Sequence, residues 1–435
     1  MLASGAAYGR DFYVSPGRNG GDGSFDTPFR MIEAGVQAAQ PGDTVFLRGG
    51  VYCCPDTIRI DKSGAPDLSI TLRAFGDEPV VLDFFRVGAD ERGLHLKGDY
   101  WHVEGLTIQH AGDNGIIVYG AYNVLDRLVA RANGDSGIQL HTGAAHNLVL
   151  NCDSYANYDA DNHGENADGF AAKFSLGEGN AFAGCRSWGN SDDGYDFWEA
   201  GNGVTLTNCW ASRNGINVWD DPAYAGDGNG FKLGHGSGAH VLIRCVAYDH
   251  PYHGIDVNGN LTGVLVYNCS CVMNQGRDFY FDEHSDAHVL RNNVSYPRSV
   301  VIYDEIDDER NSWNSAPVGE PDFASLDPNG IDGPRRADGG LPALAFLRPA
   351  SVSCLIDAGI DMGLPFEGTA PDLGAFEHLA GDCVPDGCID IADLRCFASN
   401  WLTVNGRIRC RADFNRNGLV DLHDFATLAS NWLKR

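Results

Sequence analysis

Between Asn166 and Leu233 the chain sets four carboxylates and one lysine into short glycine-bearing pieces. Asp168 lies in NADGFAAK, Asp192, Asp193 and Asp196 in SDDGYD, and Lys232 in GDGNGFKLG. Four carboxylates brought within a few ångströms of one another stay ionised only if a cation holds them. An all-oxygen, highly charged ligand set suits Ca²⁺ rather than zinc or copper. Each Asp taken singly could serve a turn. The chemistry therefore depends on whether the five side chains meet.

A repeat brings them together. Glycine followed by an aliphatic or aromatic residue recurs as GI at 115 and 137, GF at 169, GY at 194, GF at 230 and GI at 254, in steps of 22, 32, 25, 36 and 24 residues. Such a period, with two longer steps, marks a solenoid with loop insertions. A second column keeps phase with it: Leu128, Cys152, Cys185, Cys209, Cys245 and Cys269 each stand five residues before Asn133, Asn157, Asn190, Asn214, His250 and Asn274. Runs such as VTLTNCWAS and VLIRCVAY alternate as strands do. The expected fold is an all-β, right-handed parallel β-helix. Equivalent residues then stack at roughly 4.8 Å per coil. The residue after each glycine points inward and the next points out, so the outward column reads Gln139, Ala171, Asp196, Lys232, Asp256. In the same register Asp168 stacks under Asp193, with Asn229 above and Asp192 on the adjoining turn. The column cysteines stand too far apart for unstrained bridges and are expected as buried core thiols. The Asn column is expected to bond along the turns.

The start of the chain should close the helix. Thr27 is placed to cap a helix from Pro28 that Pro41-Gly42 ends, with Phe29, Ile32, Val36 and Ala39 covering the first coil. Two insertions flank the acidic pieces: YDADNHGEN, and GINVWDDPAYAGD with Trp219 and Tyr224, whose rings could stack on a sugar or pack on the wall. Arg213, His235 and His253 are candidate substrate contacts. APDLGAFEH (370–378) reads as a closing strand.

The 435 residues carry 59 Asp and Glu against 31 Lys and Arg, a formal net charge of −28. Such a surface disfavours nucleic acid and anionic membranes as partners, and no stretch reaches transmembrane length. Residues 1–10 form an N-terminal remnant with no long apolar run and no convincing signal peptide. A secreted, extracellular location is nonetheless expected, with a signal removed or export by another route.

NADGFAAK, SDDGYD and GNGFKLG, in that order and spacing, resemble the pectate lyases of polysaccharide lyase family nine. The resemblance extends over 11–378 and is tightest in 151–300. It implies Asp168, Asp192, Asp193 and Asp196 as ligands of a catalytic Ca²⁺ and Lys232 as the Brønsted base in β-elimination of polygalacturonate or a related uronate polymer. The ionised C6 carboxylate of such a substrate makes its C5 proton a poor acid, so charge neutralisation is what the reaction needs. Lysine's ordinary pKa is about 10.4, which points to an alkaline optimum. Two other functions fit parts of the pattern: a β-helix glycoside hydrolase using Asp192, Asp193 and Asp196, or a carbohydrate-binding solenoid without activity.

A second module begins near Leu379 and runs to 435. DCVPDGCIDIADLRCFASNWL and DFNRNGLVDLHDFATLASNWL are two copies offset by 31 residues. The second places Asp413, Asn415, Asn417, Gly418, Asp421 and Asp424 at positions 1, 3, 5, 6, 9 and 12, the ligand spacing of an EF-hand loop. The first keeps Asp382, Asp386, Gly387, Asp390 and Asp393 but has Val384 at position 3. The duplication resembles a type I dockerin, which implies a small α-helical Ca²⁺-binding module and a cohesin-like protein partner. Cys383, Cys388, Cys396 and Cys410 suggest one or two bridges there.

Overall fold

The computed structural model describes residues 9–17, 20–282, 285, 287–314, 317–403, 411–415 and 417–434. Its body is a parallel β-helix. Each coil contributes short strands to three sheets, here sheets I, II and III in the order the chain visits them. Sheet I has twelve strands, from Asp11–Val14 to Asp307–Glu309, and sheets II and III have ten each among the described residues. All paired strands inside the sheets are parallel and in register, one coil on the next, over the whole length.

The glycine column has a steric cause. A Cβ on Gly194 would lie 2.5 Å from Gly230 O and 2.9 Å from Asn214 Nδ2, and one on Gly169 would lie 2.0 Å from Ser187 Oγ. No side chain fits where the turn between sheets II and III presses against the next coil. The residue after each glycine faces inward as expected. Phe170, Tyr195 and Phe231 stack with ring centroids 5.0 and 4.7 Å apart inside the core. Cys152, Cys185, Cys209, Cys245 and Cys269 are buried free thiols.

The Asn column forms an internal ladder at the turn from sheet II to sheet III. Asn157 Nδ2 donates to Asn190 Oδ1 (2.8 Å), and Asn190 Nδ2 donates to Asn214 Oδ1 (2.9 Å). These bonds satisfy buried turn amides that the strands leave unpaired. A second ladder, Asn123–Asn147–Asn180, follows the turn from sheet III to sheet I.

His250 takes an Asn position in the first ladder. Its Nδ1 lies 2.9 Å from Asn274 Oδ1 and its Nε2 lies 3.3 Å from Asn214 Nδ2. Only the neutral ring suits both neighbours, one accepting and the other donating. Burial lowers its pKa from 6.5 to about 4. The unfolded chain therefore binds this proton more readily. The contribution of neutral His250 is complete above the unfolded pKa of about 6.5 and is lost as pH falls toward 4, by on the order of 3 kcal/mol. His250→Asn should remove that component. Urea melts of both proteins at neutral and acid pH should show the variant losing less stability on acidification, and parallel losses would refute it.

Two expectations need correction. The first helix runs only over Ile32–Ala38 and has Met31 at its N-cap with no side-chain cap. Thr27 is engaged elsewhere, its hydroxyl bonding Asp22 Oδ1 (2.5 Å) and Ser24 Oγ (2.8 Å), while Phe29 bridges Val14. Ile32, Val36 and Ala39 still bury themselves in the end of the core. Residues 370–378 form no strand. Instead Gly374 N–H donates to Asn292 O and Ala375 N–H to Ser270 Oγ, so the segment is pinned across sheet II. The outer face of that sheet (Trp210, Val246, Tyr248, Val272, Val294) makes a second core with Phe323, Phe346, Leu355 and Leu373. In the C-terminal module one bridge forms, as expected, between Cys383 and Cys396, while Cys388 is a free thiol; Cys410 lies outside the described residues.

The C-terminal module has its own small core of Cys383, Ile389, Phe397, Ala412, Val420 and Leu428. Its helices span Ile391–Ser399 and Leu422–Ser430, each opened by a capping box in which Asp390 or Asp421 is the N-cap and Asp393 or Asp424 the third helical residue. Lys434 pairs with Glu367 (2.6 Å) and ties the module to the β-helix.

Candidate active site

The outward column of sheet III stacks Gln139, Ala171, Asp196, Lys232 and Asp256 coil on coil. Just before each strand, the turn adds a parallel column of Ser136, Asp168, Asp193, Asn229 and His253. Ser136 Oγ donates to Asp168 Oδ2 (2.9 Å), Asp193 N–H to Asp168 Oδ1 (3.2 Å), Asn229 N–H to Asp193 Oδ1 (2.6 Å) and His253 N–H to Asn229 Oδ1 (3.2 Å). Asp192 stands beside them and clasps both insertions. It accepts from Asn166 N–H (2.9 Å) and from Asp227 N–H (2.7 Å).

One oxygen from each of Asp168, Asp192 and Asp193 falls within a 4.8 Å group that could hold a metal ion. Asp196 lies outside that trio, and its Oδ2 is 2.7 Å from the ammonium of Lys173. The same ammonium is 2.8 Å from Asp168 Oδ2. Lys232 Nζ bonds Asp227 Oδ2 (2.7 Å) and lies 3.2 Å from Asp193 Oδ2. The latter contact has poor hydrogen-bond alignment, so buried Asp193 Oδ2 accepts no hydrogen bond.

Burial, reinforced by the neighbouring carboxylates, raises the pKa of Asp168, Asp192 and Asp193. For Lys232 burial acts downward, but Asp193, Asp196 and Asp192 outweigh it and hold the ammonium protonated above its ordinary range. These acids and this lysine thus stabilise one another's charge. A divalent cation among the carboxylates would turn that balance toward a neutral lysine.

Lys173 and Asp227 were not singled out from sequence. Lys173 was legible in principle, since it follows the outward column by two residues, between His141 and Trp198 in register. Asp227 sits in an insertion whose path no periodicity sets. Trp219 packs on the other insertion, whereas Tyr224 reaches the helix wall. Trp219 stacks on Tyr158 at 4.7 Å, and Tyr158 Oη donates to Asp221 Oδ2 (2.7 Å); Tyr224 Oη bonds Ser191 O.

The three candidate substrate contacts separate. His235 is at the site's edge, its ring 4.3 Å from Trp198, over which Lys232 Nζ lies at 5.7 Å. His253 is buried, accepts from Arg277 N–H through Nδ1 (2.9 Å) and stacks on Tyr280, so it forms wall. Burial and then Arg277 lower its pKa to about 4. Arg213 is drawn away to Asp332 (3.0 Å), in the segment covering sheet II.

The model of the Pel9A-like, right-handed β-helix region matches residues 12–293, more than half of the chain. The chain belongs to the Pel9A-like β-helix family. Among its relatives in that family, Pectate lyase L of Dickeya chrysanthemi is 38% identical over 396 residues, covering 87% of this chain and 92% of that protein. Pectate lyase PEL9 of Emericella nidulans is 33% identical over 79% of this chain and 93% of its own length. The crystal structure of pectate lyase Pel9A superposes with a TM-score of 0.81 at 37% identity, covering 85% of this chain and 96% of that one. As in the family description, the Pel9A-like helix is right-handed.

The two C-terminal loops share a bonding pattern. Asp382 and Asp413 accept from the amides of Gly387 and Gly418 (both 2.8 Å). Asp393 and Asp424 accept from those of Val384 and Asn415 (2.8 and 3.1 Å). Asp386 and Asn417 accept from the residue two further on, Cys388 and Leu419 (both 2.9 Å). Both loops thus wrap their oxygens inward, and position 3 differs in offering Asn415 in one and apolar Val384 in the other.

Proposed function

We propose that this chain is a Ca²⁺-dependent pectate lyase that cleaves polygalacturonate by β-elimination, with Lys232 as the base. The observation that supports it best is the register that sets Lys232 directly on Asp196 and beside Asp193, in a family whose named relatives are pectate lyases. The residues fit a hard cation: three buried carboxylates converge, and one of their oxygens accepts no hydrogen bond. Asp168, Asp192 and Asp193 would hold it, with Asp196 completing the set once its bond to Lys173 is shared. The chemistry such an ion supplies when bound is positive charge that offsets the uronate carboxylate and acidifies the adjacent C5–H.

The chain's own residues do the rest. Asp227 and Asp193 fix the Lys232 amine at the cleft, so its lone pair is presented once the proton has left. Lys232 Nζ takes the C5 proton. The released electron pair becomes the C4–C5 double bond as the C4–O4 bond breaks, and the departing oxygen takes a proton from solvent. Asn166 and Asp227, through their amides, keep Asp192 turned toward the cluster.

The C-terminal loops are proposed as Ca²⁺ sites, with Asp413, Asn415, Asn417, Asp421 and Asp424 in one and Asp382, Asp386, Asp390 and Asp393 in the other. A cohesin-like protein is the partner their arrangement suits. An extracellular location agrees with a polymeric substrate and with the Cys383–Cys396 bridge.

The test is ultraviolet absorbance of polygalacturonate digests with Ca²⁺ and with chelator. Unsaturated products that form only with Ca²⁺ are expected. New reducing ends without that absorbance would mean hydrolysis and overturn the proposal.

A further inference from the structure

The outer face of sheet III continues toward the N-terminus well beyond the carboxylate cluster. Below Lys232 and Asp196 the column descends through Ala171, Gln139, Ile117 and His95 to Arg59. Six coils separate Lys232 from Arg59, roughly 29 Å at the strand spacing. Along this path runs a file of rings. His95, Tyr119, His141 and Phe174 follow one another with centroids 5.2, 4.8 and 4.9 Å apart. Phe174, at the end nearest the cluster, is 37% exposed.

Cations gather at the far end. Arg59 is exposed, and its Nη1 is 3.0 Å from Nδ1 of the His95 ring. Lys97 is exposed one residue column over, and among the described residues neither Arg59 nor Lys97 is in an ion pair. Arg92 is close by, paired to Asp113 at 3.0 Å. Burial, then Lys97, Arg59 and Arg92, depress the pKa of His95, while Asp61 acts against them. On a chain of formal charge −28, two unpaired cations joined by an aromatic file to an elimination site have a specific complement. That complement is a polymer with apolar ring faces and one carboxylate per sugar.

We infer that the sheet III face from Phe174 to Arg59 is an extended binding track for the uronate polymer, holding the part of the chain remote from the bond being cut. The rings receive sugar faces, and Arg59 and Lys97 receive carboxylates. This rests on the lyase proposal for the identity of the polymer, but the track itself requires no turnover. Affinity therefore grows with chain length, and internal bonds of long chains are favoured.

Calorimetric titration of the Lys232→Ala protein in chelator, with polygalacturonate fragments from trimer to polymer, tests it. Binding should tighten with length and weaken with added salt. In the Arg59→Ala/Lys97→Ala background the polymer should bind about 10²-fold or more weakly, about tenfold or more for each of the two lost charge-assisted contacts, and the length dependence should flatten. A fully methyl-esterified polymer should bind the parent as weakly as the free acid binds the double variant. Phe174→Ala, at an exposed ring, provides a second probe and should weaken both polymers alike. Thermal melts of each variant separate lost contacts from lost folding. Undiminished polymer affinity in the double variant, or affinity that stops growing at the trimer, would overturn the track. Digestion by the wild type is scored separately: a chain that binds by length yet yields no unsaturated product would defeat the lyase proposal and leave the track standing.

Discussion

Lys232→Ala is expected to lower the turnover of polygalacturonate by about 10²–10⁴-fold, the usual contribution of a positioned general base, with a smaller change in KM. The side chain reaches the cleft from a strand locked between Asp196 and Asp256 in register. Its truncation leaves the carboxylates in place, so Ca²⁺ binding measured by calorimetry should survive in the variant. The wild-type pH–rate profile gives the sign independently. Burial acts to release the Lys232 proton, and the surrounding carboxylates act more strongly to retain it. The neutral, proton-accepting form thus accumulates as pH rises. Activity should climb on the alkaline side, and an acidic optimum, or a Lys232→Ala enzyme with near-native turnover, would exclude this lysine as the base.

The second large effect concerns Lys173, whose ammonium bridges buried Asp168 and Asp196 at 2.8 and 2.7 Å. Lys173→Met strands two buried carboxylates without their counter-charge, and losing one partner of such a pair typically costs about 3–5 kcal/mol. Denaturant melts in chelator should show a loss of that order. With saturating Ca²⁺ most of it should return, because a divalent ion bound among Asp168, Asp192 and Asp193 supplies the missing charge and favours the folded state by mass action. Equal losses with and without Ca²⁺ would mean that Lys173 is a packing residue alone. Arginine at this position keeps the charge but has a broader, planar head, so Lys173→Arg should recover part of the stability in chelator.

Columns were the part of this protein that its sequence made legible. In a parallel β-helix each coil repeats the path of the last, so a residue's place in the period gives its neighbours above and below. Gly169, Gly194 and Gly230 marked that period because no Cβ fits against the following turn. From them the stacking of Asp196 under Lys232, and of Asp168 under Asp193, could be read without coordinates. The Asn ladder was legible for the same reason. The C-terminal loops were legible because their oxygens all lie within one twelve-residue turn of chain.

Contacts that leave the period needed the tertiary structure. Thr27 was expected to cap a helix, but the nearby Asp22 and Ser24 hold its hydroxyl in a turn instead. Residues 370–378 were expected to form a closing strand, but sheet II offers them an outer face and not a free edge. Arg213 was drawn to Asp332, 119 residues away. Lys173 lies on a predictable column, yet only its folded side chain shows that it reaches sideways to two carboxylates. Asp227 reaches Lys232 from an insertion whose course is set by ring packing and by its amide on Asp192. Sequence determined the axis of this protein and the carboxylates and lysine stacked along it. Tertiary structure decided which charges pair across that axis, because side-chain reach and loop path follow from packing, to which the repeat is blind.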